Sequence, residues 1–153
     1  MMDQLRTLLE EDEGIKHEIY WDHLGMPTIG IGHLILKSDE EYFYPVGTSV
    51  SEERVTEYFN ADVKICINDC HSLFEGFDDM PSDVQITAAS LAFQLGMPRY
   101  RQFKKHHAAM IAGDWHEAAA QLRDSKLYRQ TPERTERHAK RLEGVGTLAE
   151  SAG

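Results

Sequence analysis

The sequence predicts an α+β fold, mainly helical, with a small sheet near its N-terminus. Two observations carry this. Between residues 15 and 36, β-prone Ile15, Ile19, Tyr20, Thr28, Ile29 and Ile31 flank a turn at Asp22-His23-Leu24-Gly25. From residue 51 onward, apolar residues recur at the helical period instead. The 153 residues fit one domain, and 41% apolar with 27% charged residues place the chain among globular proteins.

The elements follow in order. Leu5, Leu8 and Leu9 share a helical face over 3–13, with Asp3 as the expected N-cap and Gly14 as the stop. Gly30 and Gly32 alternate with isoleucines, which predicts close backbone approach or a bulge in the sheet. A phosphate-loop reading of that pair fails, because the third glycine is missing. Residues 37–50 contain Pro45 and Gly47 and are expected as a loop or a poorly ordered hairpin.

Ser51 then opens a helix with Glu52 and Glu53 in its first turn. Val55, Tyr58, Phe59, Val63, Cys66, Ile67 and Cys70 keep the 3.6-residue period, so the helix runs over about 51–72 and is long enough to connect two lobes. Asp62 falls beside this apolar stripe and therefore needs a partner. Residues 82–95 are apolar nearly all round, as in a buried helix ended by Gly96. Gly113 separates two more helices, the second opened by Asp114 with Glu117 completing a capping box. Thr131-Pro132-Glu133 starts the last helix.

Several functions are disfavoured. No apolar run is long enough to span a membrane. The first residues read as helix and not as a signal peptide, so synthesis in the cytoplasm is expected. Cys66, Cys70 and His71 form no complete ligand set, so two buried free thiols and no metal are expected. The net charge is −10, and it is unevenly placed: residues 1–98 carry 5 basic and 19 acidic side chains, whereas residues 99–153 carry 11 and 7. The acidic half argues against nucleic acid as a partner. Arg99, Arg101, Lys104 and Lys105 make the basic half a candidate surface for an anionic one.

The block EDEGIKHEIYWDHLGMPTIGIGHL, residues 11–34, resembles the catalytic segment of the T-even phage lysozymes of glycoside hydrolase family 24. Glu13-Gly14, Tyr20-Trp21-Asp22 and Thr28 to His33 carry that likeness. Residues 58–63 (YFNADV), 93–96 (FQLG) and 128–137 (YRQTPERTER) extend it in order, over about residues 4–142. Loop 35–50 is shorter than in the family, Ser90 stands where an Asn is common, and the chain after Leu142 does not match.

The resemblance implies one catalytic domain over 1–153, a two-lobed lysozyme fold. Its parts are an N-terminal lobe over about 14–60 with a small antiparallel sheet, an interlobe helix, and a helical lobe over about 73–145 with helix 3–13 packed on it. It implies a monomeric inverting muramidase that needs no cofactor and acts on peptidoglycan, either after release from the host cytoplasm or within a virion. Glycoside cleavage needs a carboxylic acid to protonate the leaving oxygen and a carboxylate on the opposite side of the sugar. The resemblance makes Glu13 the general acid, Asp22 the carboxylate that activates water or stabilises the developing cation, and Thr28 the holder of the attacking water.

By the same likeness Leu34, Phe93, Gln94 and Gln130 contact substrate, although Phe93 fits a core position equally well. Arg134 approaches Glu13, Arg137 pairs with Asp12, and His33 pairs with Asp62; a solvated helix face is the plainer account of the two arginines. Two other functions compete. A non-catalytic glycan-docking module of a virion would be expected to lack Glu13, Asp22 or Thr28. A lytic transglycosylase needs the acid alone and has no use for Asp22.

Overall fold

A computed structural model describes residues 1–152, in two compact units, one of Met2–Ile65 and the other from Cys66 onward. Eight α-helices and three strands are present among the described residues. None of the helices is long and apolar enough to cross a membrane.

The N-terminal unit begins with α1 (Met2–Glu13), which buries Leu5 and Leu9. Asp3 lies inside the first turn and is not the cap. Its carbonyl accepts the Thr7 hydroxyl at 3.0 Å. Arg6 fixes α1 against the start of α2 (Glu52–Leu73), donating to Thr56 and Glu52 at 2.9 Å each. Three antiparallel strands follow in the order β1 (Lys16–Trp21), β2 (Pro27–Gly30), β3 (His33–Leu34). The registers Tyr20↔Thr28 and Thr28↔Leu34 put those three side chains on one face. Ile29 and His33 pair on the other.

Residues 37–50 are more ordered than a plain loop. Residues 47–50 run beside β1, with Ile19 N donating to Thr48 O at 2.9 Å and Val50 N to His17 O at 2.9 Å. The 3-10 turn Glu40–Phe43 is pinned by Glu41, which is only 5% exposed. Arg54 grips the Glu41 carboxylate through Nε and Nη2 at 2.8 and 2.9 Å, and the Tyr58 hydroxyl donates to it at 2.6 Å. This bidentate guanidinium holds the Glu41 pKa down at about 2 against the opposing effect of burial. Ser51 caps α2 as expected, accepting from Arg54 N at 3.1 Å.

The C-terminal unit packs around α3 (Ser82–Leu95), whose buried residues run from Val84 to Leu95. Cys66 and Cys70 are buried free thiols in the same core, and burial pushes the Cys70 thiol up to about 12. The helices α4 (Met97–Tyr100), α5 (Lys104–Ala112), α6 (Trp115–Arg123), α7 (Lys126–Gln130) and α8 (Pro132–Ala152) complete the unit. Asp114 caps α6 by accepting from Glu117 N at 3.1 Å, but the expected capping box is not closed. The Asp114 amide donates to Ala109 O instead, and the Glu117 carboxylate takes the Gln121 amide.

Beyond Leu142 the chain stays helical, and α8 lies against α6. Gly146 sits so close to the His116 ring that an added Cβ would come within 2.9 Å of it. One turn further on, Glu150 pairs with His116 at 3.0 Å.

Candidate active site

Glu13 is the last residue of α1, where Gly14 releases the chain toward β1. The carboxylate lies against the β2–β3 turn. Gly30 and Gly32 take left-handed φ of 62° and 64° there, a conformation that favours glycine. A Cβ on Gly32 would stand 3.3 Å from Glu13 Oε2, tighter than ordinary packing, so the bare turn leaves the carboxylate room. A Cβ on Gly30 would stand 2.9 Å from Val55 Cγ1 on α2. The two glycines thus let the sheet approach α1 and α2 at once.

Asp22 follows β1 at the turn into β2. Its Oδ1 accepts from the amides of Leu24 (2.8 Å) and Met26 (2.9 Å), which fixes the carboxylate and leaves Oδ2 outside those two bonds. Thr28 is 3% exposed and donates its hydroxyl to Met26 O at 2.9 Å, so the oxygen lone pairs remain as acceptors. Leu34, opposite Thr28, is 42% exposed on the same face.

Tyr20 connects these groups. It is the cross-strand partner of Thr28, and the Lys16 ammonium sits 4.4 Å from its ring centroid. Burial, the charge of Glu13 and the charge of Asp22 all raise its pKa, while the Gly32 backbone opposes them. Both carboxylates therefore act electrostatically on one phenol.

On the opposite face of the sheet, His33 is 7% exposed with a carboxylate at each ring nitrogen. Nδ1 meets Asp62 at 2.7 Å and Nε2 meets Asp39 at 2.8 Å. Tyr58 stacks on the ring at 3.9 Å. Burial lowers the His33 pKa, but the two hydrogen bonds outweigh it and the net shift is upward.

Asp12 lies in the last turn of α1, and the C-terminal unit holds Phe93, Gln94, Gln130, Arg134 and Arg137. Phe93 packs against the core. The Gln94 amide nitrogen donates to Thr131 at 3.3 Å, while its buried Oε1 has no hydrogen-bond partner among the described residues. Gln130 is exposed and accepts from Arg99 at 3.5 Å. Arg134 and Arg137 stand on α8 near buried His138. Burial first, and then the charges of Arg141, Arg134 and Arg137, push that imidazole well below its ordinary pKa.

The family model for phage lysozymes matches residues 10–140. The chain belongs to the phage lysozyme family, a family of glycoside hydrolases. It is 32% identical over 151 residues to the pre-baseplate central spike protein Gp5 of Enterobacteria phage T4, covering 87% of this chain and 26% of that protein. It is 31% identical over 169 residues to probable T4-type lysozyme 2 of Dictyostelium discoideum, covering 98% and 99%. It is also 28% identical over 137 residues to the peptidoglycan hydrolase gp36 of Pseudomonas phage phiKMV, covering 90% of this chain and 15% of that one. The chain therefore spans a minor part of the two phage proteins and nearly all of the Dictyostelium relative.

Within this phage-lysozyme chain, sequence reasoning missed three contributors. Tyr20 lay inside the motif with no role attached, and only the strand register places it opposite Thr28. Asp39 left no signal, because its approach to His33 depends on a turn in which its own Oδ2 accepts Leu36 N at 2.8 Å. Glu41 follows Asp39 and Glu40 in sequence, and nothing local sets it apart from a solvated acid.

Proposed function

We propose that this chain is a muramidase that hydrolyses the β-1,4 bond between N-acetylmuramic acid and N-acetylglucosamine of bacterial peptidoglycan, with inversion. The observation that carries the reading is the gathering of Glu13, Asp22 and Thr28 around Tyr20. The names of the relatives, T4-type lysozyme and peptidoglycan hydrolase, support the substrate class.

Glu13 gives its proton to the glycosidic oxygen as the bond to the anomeric carbon breaks. A water molecule attacks that carbon from the opposite side and loses a proton to Asp22. Thr28, its hydroxyl hydrogen engaged by Met26 O, receives an O–H of the water on its lone pairs and aims it. Direct displacement by water leaves no glycosyl-enzyme intermediate, hence inversion. Leu34, Phe93, Gln94 and Gln130 contact the sugars, and the unpartnered Gln94 Oε1 suits a substrate N–H. Asp12, Arg134 and Arg137 support the site, as the family likeness assigns. The reaction so written calls on no cofactor. The enzyme works as a monomer on wall glycan, after release from the host cytoplasm or as part of a virion.

Lysis of permeabilised bacteria by the parent and by Glu13→Gln tests the reading. The amide keeps the shape and cannot donate the proton, so Glu13→Gln is expected to fold normally and lose nearly all activity. The α-anomer is expected as the first product by NMR. A β-anomer would mean retention, 1,6-anhydro ends would mean a transglycosylase, and glycan binding without turnover in the parent would make the chain a docking module.

A further inference from the structure

The pairing of β2 with β3 continues one step past Leu34. Ile35 N donates to Pro27 O at 3.0 Å, as the register Thr28↔Leu34 requires of the next facing pair. Proline has no amide with which to return that bond, so one hydrogen bond holds the strand there instead of two. Asp39 supplies the missing hold. Its Oδ2 accepts from Leu36 N and meets His33 Nε2, both at 2.8 Å, while Asp39 N donates to Leu36 O at 2.9 Å. One carboxylate thus closes both ends of the run from His33 to Leu36, and Asp62 ties the His33 ring to α2 at 2.7 Å.

Burial alternates along this run, with His33 and Ile35 buried and Leu34 and Leu36 exposed. Leu36, 52% exposed, therefore follows Leu34 on the sheet face that carries Tyr20 and Thr28. Extending the register sets it opposite Met26, which is 45% exposed. Met26 is itself tied to the site. Its amide donates to Asp22 Oδ1 and its carbonyl accepts the Thr28 hydroxyl, both at 2.9 Å. Leu34, Leu36 and Met26 make an apolar ledge beside Asp22 and Thr28. No Asp, Glu, Lys or Arg occurs from residue 24 to residue 36, in a chain that is 27% charged. Such a strip gives an uncharged sugar ring van der Waals contact and offers a charged group nothing to pair with.

We propose that Leu36 and Met26 extend the glycan contact of Leu34, and that Asp39 is a positioning residue that holds Leu36 in the ledge. The occupant rests on the muramidase reading above, in which Leu34 touches a sugar; the ledge lengthens that contact along the same glycan strand. It sets how tightly the strand is held and takes no part in the proton transfers, so it governs KM and not kcat.

The test has two arms, both on peptide-free glycan strands. Calorimetry on the full chain carrying Glu13→Gln gives Kd without cutting, and steady-state assays in the parent background give kcat and KM. Leu36→Ser and Asp39→Ala are each expected to weaken binding and raise KM about fivefold, with kcat within about twofold of the parent. The double variant is expected to lose no more than Leu36→Ser alone, because Asp39 acts through Leu36. Phe43→Ser, which removes an exposed apolar ring from the 3-10 turn outside the ledge, is expected to bind like the parent. An unchanged Kd in Leu36→Ser, an equal loss in Phe43→Ser, or no binding by the Glu13→Gln chain overturns the ledge. Additive losses in the double variant, or a lower melting temperature in Asp39→Ala with Kd and KM unchanged, overturn the role of Asp39. Strands that bind but are not cut by the parent sink the muramidase reading and leave the ledge standing.

Discussion

His33 and Asp62 stand 29 residues apart in sequence and meet through Nδ1 and Oδ2 at 2.7 Å. With Asp39 at Nε2, the ring donates at both nitrogens only when it is protonated. The raised pKa fixes the sign of the pH dependence. The stabilisation is complete below the unfolded value of about 6.5 and fades as pH rises through the folded one. His33→Asn should cost on the order of 2 kcal/mol near pH 5.5 and clearly less near pH 8.5, measured by denaturant unfolding. Equal losses at both values would mean that folding does not raise the pKa of the ring.

Asp22 has two separable tasks, because Oδ1 holds the turn through Leu24 N and Met26 N. Asn keeps that acceptor and loses the base. Asp22→Asn is therefore expected to melt with the parent and to be nearly inactive. Asp22→Ala should lose activity and about 1 kcal/mol of stability as well. Thermal melts with a lysis assay on both variants decide it; parent-like lysis by Asp22→Asn would remove Asp22 from the mechanism.

At Gly30 two costs coincide, a left-handed φ of 62° and a would-be Cβ 2.9 Å from Val55 Cγ1. Gly30→Ala should destabilise by about 2–4 kcal/mol. A double-mutant cycle with Val55→Ala should return a coupling of about 1 kcal/mol, the share that belongs to the overlap. Strict additivity would assign the whole cost to the backbone.

His107 is buried with Nε2 unpartnered among the described residues, edge-on to Phe74 and Tyr100. Burial pushes its pKa down to about 4, so the folded state resists protonation. Stability from this residue is present above the unfolded value of about 6.5 and is lost as pH falls toward 4. His107→Leu should be close to the parent near pH 7.5 and about 1 kcal/mol more stable near pH 5. A loss of stability at both pH values would show that the ring makes a contact that leucine cannot replace.

The sequence by itself determined what local patterns encode. The bounds of α3 at Ser82–Leu95 follow from an apolar run stopped by Gly96, and the start of α2 follows from Ser51 and the two acids after it. The family was legible because the motif keeps its spacing, and the proposed acid, base and water-holding residues are the ones that motif carries. Tertiary structure decided the rest. Whether Glu41 is a solvated acid or a buried anion depends on Arg54 and Tyr58 arriving from α2. Whether Asp114 and Glu117 close a capping box depends on Ala109 and Gln121 competing for the same groups. The second partner of His33 and the contact of Gly146 with His116 are likewise long-range. Helical period and caps act over a few residues, so they can be read in order along the chain. Charge burial and hydrogen-bond competition are settled by whichever group the fold brings near, and no local spacing specifies that group.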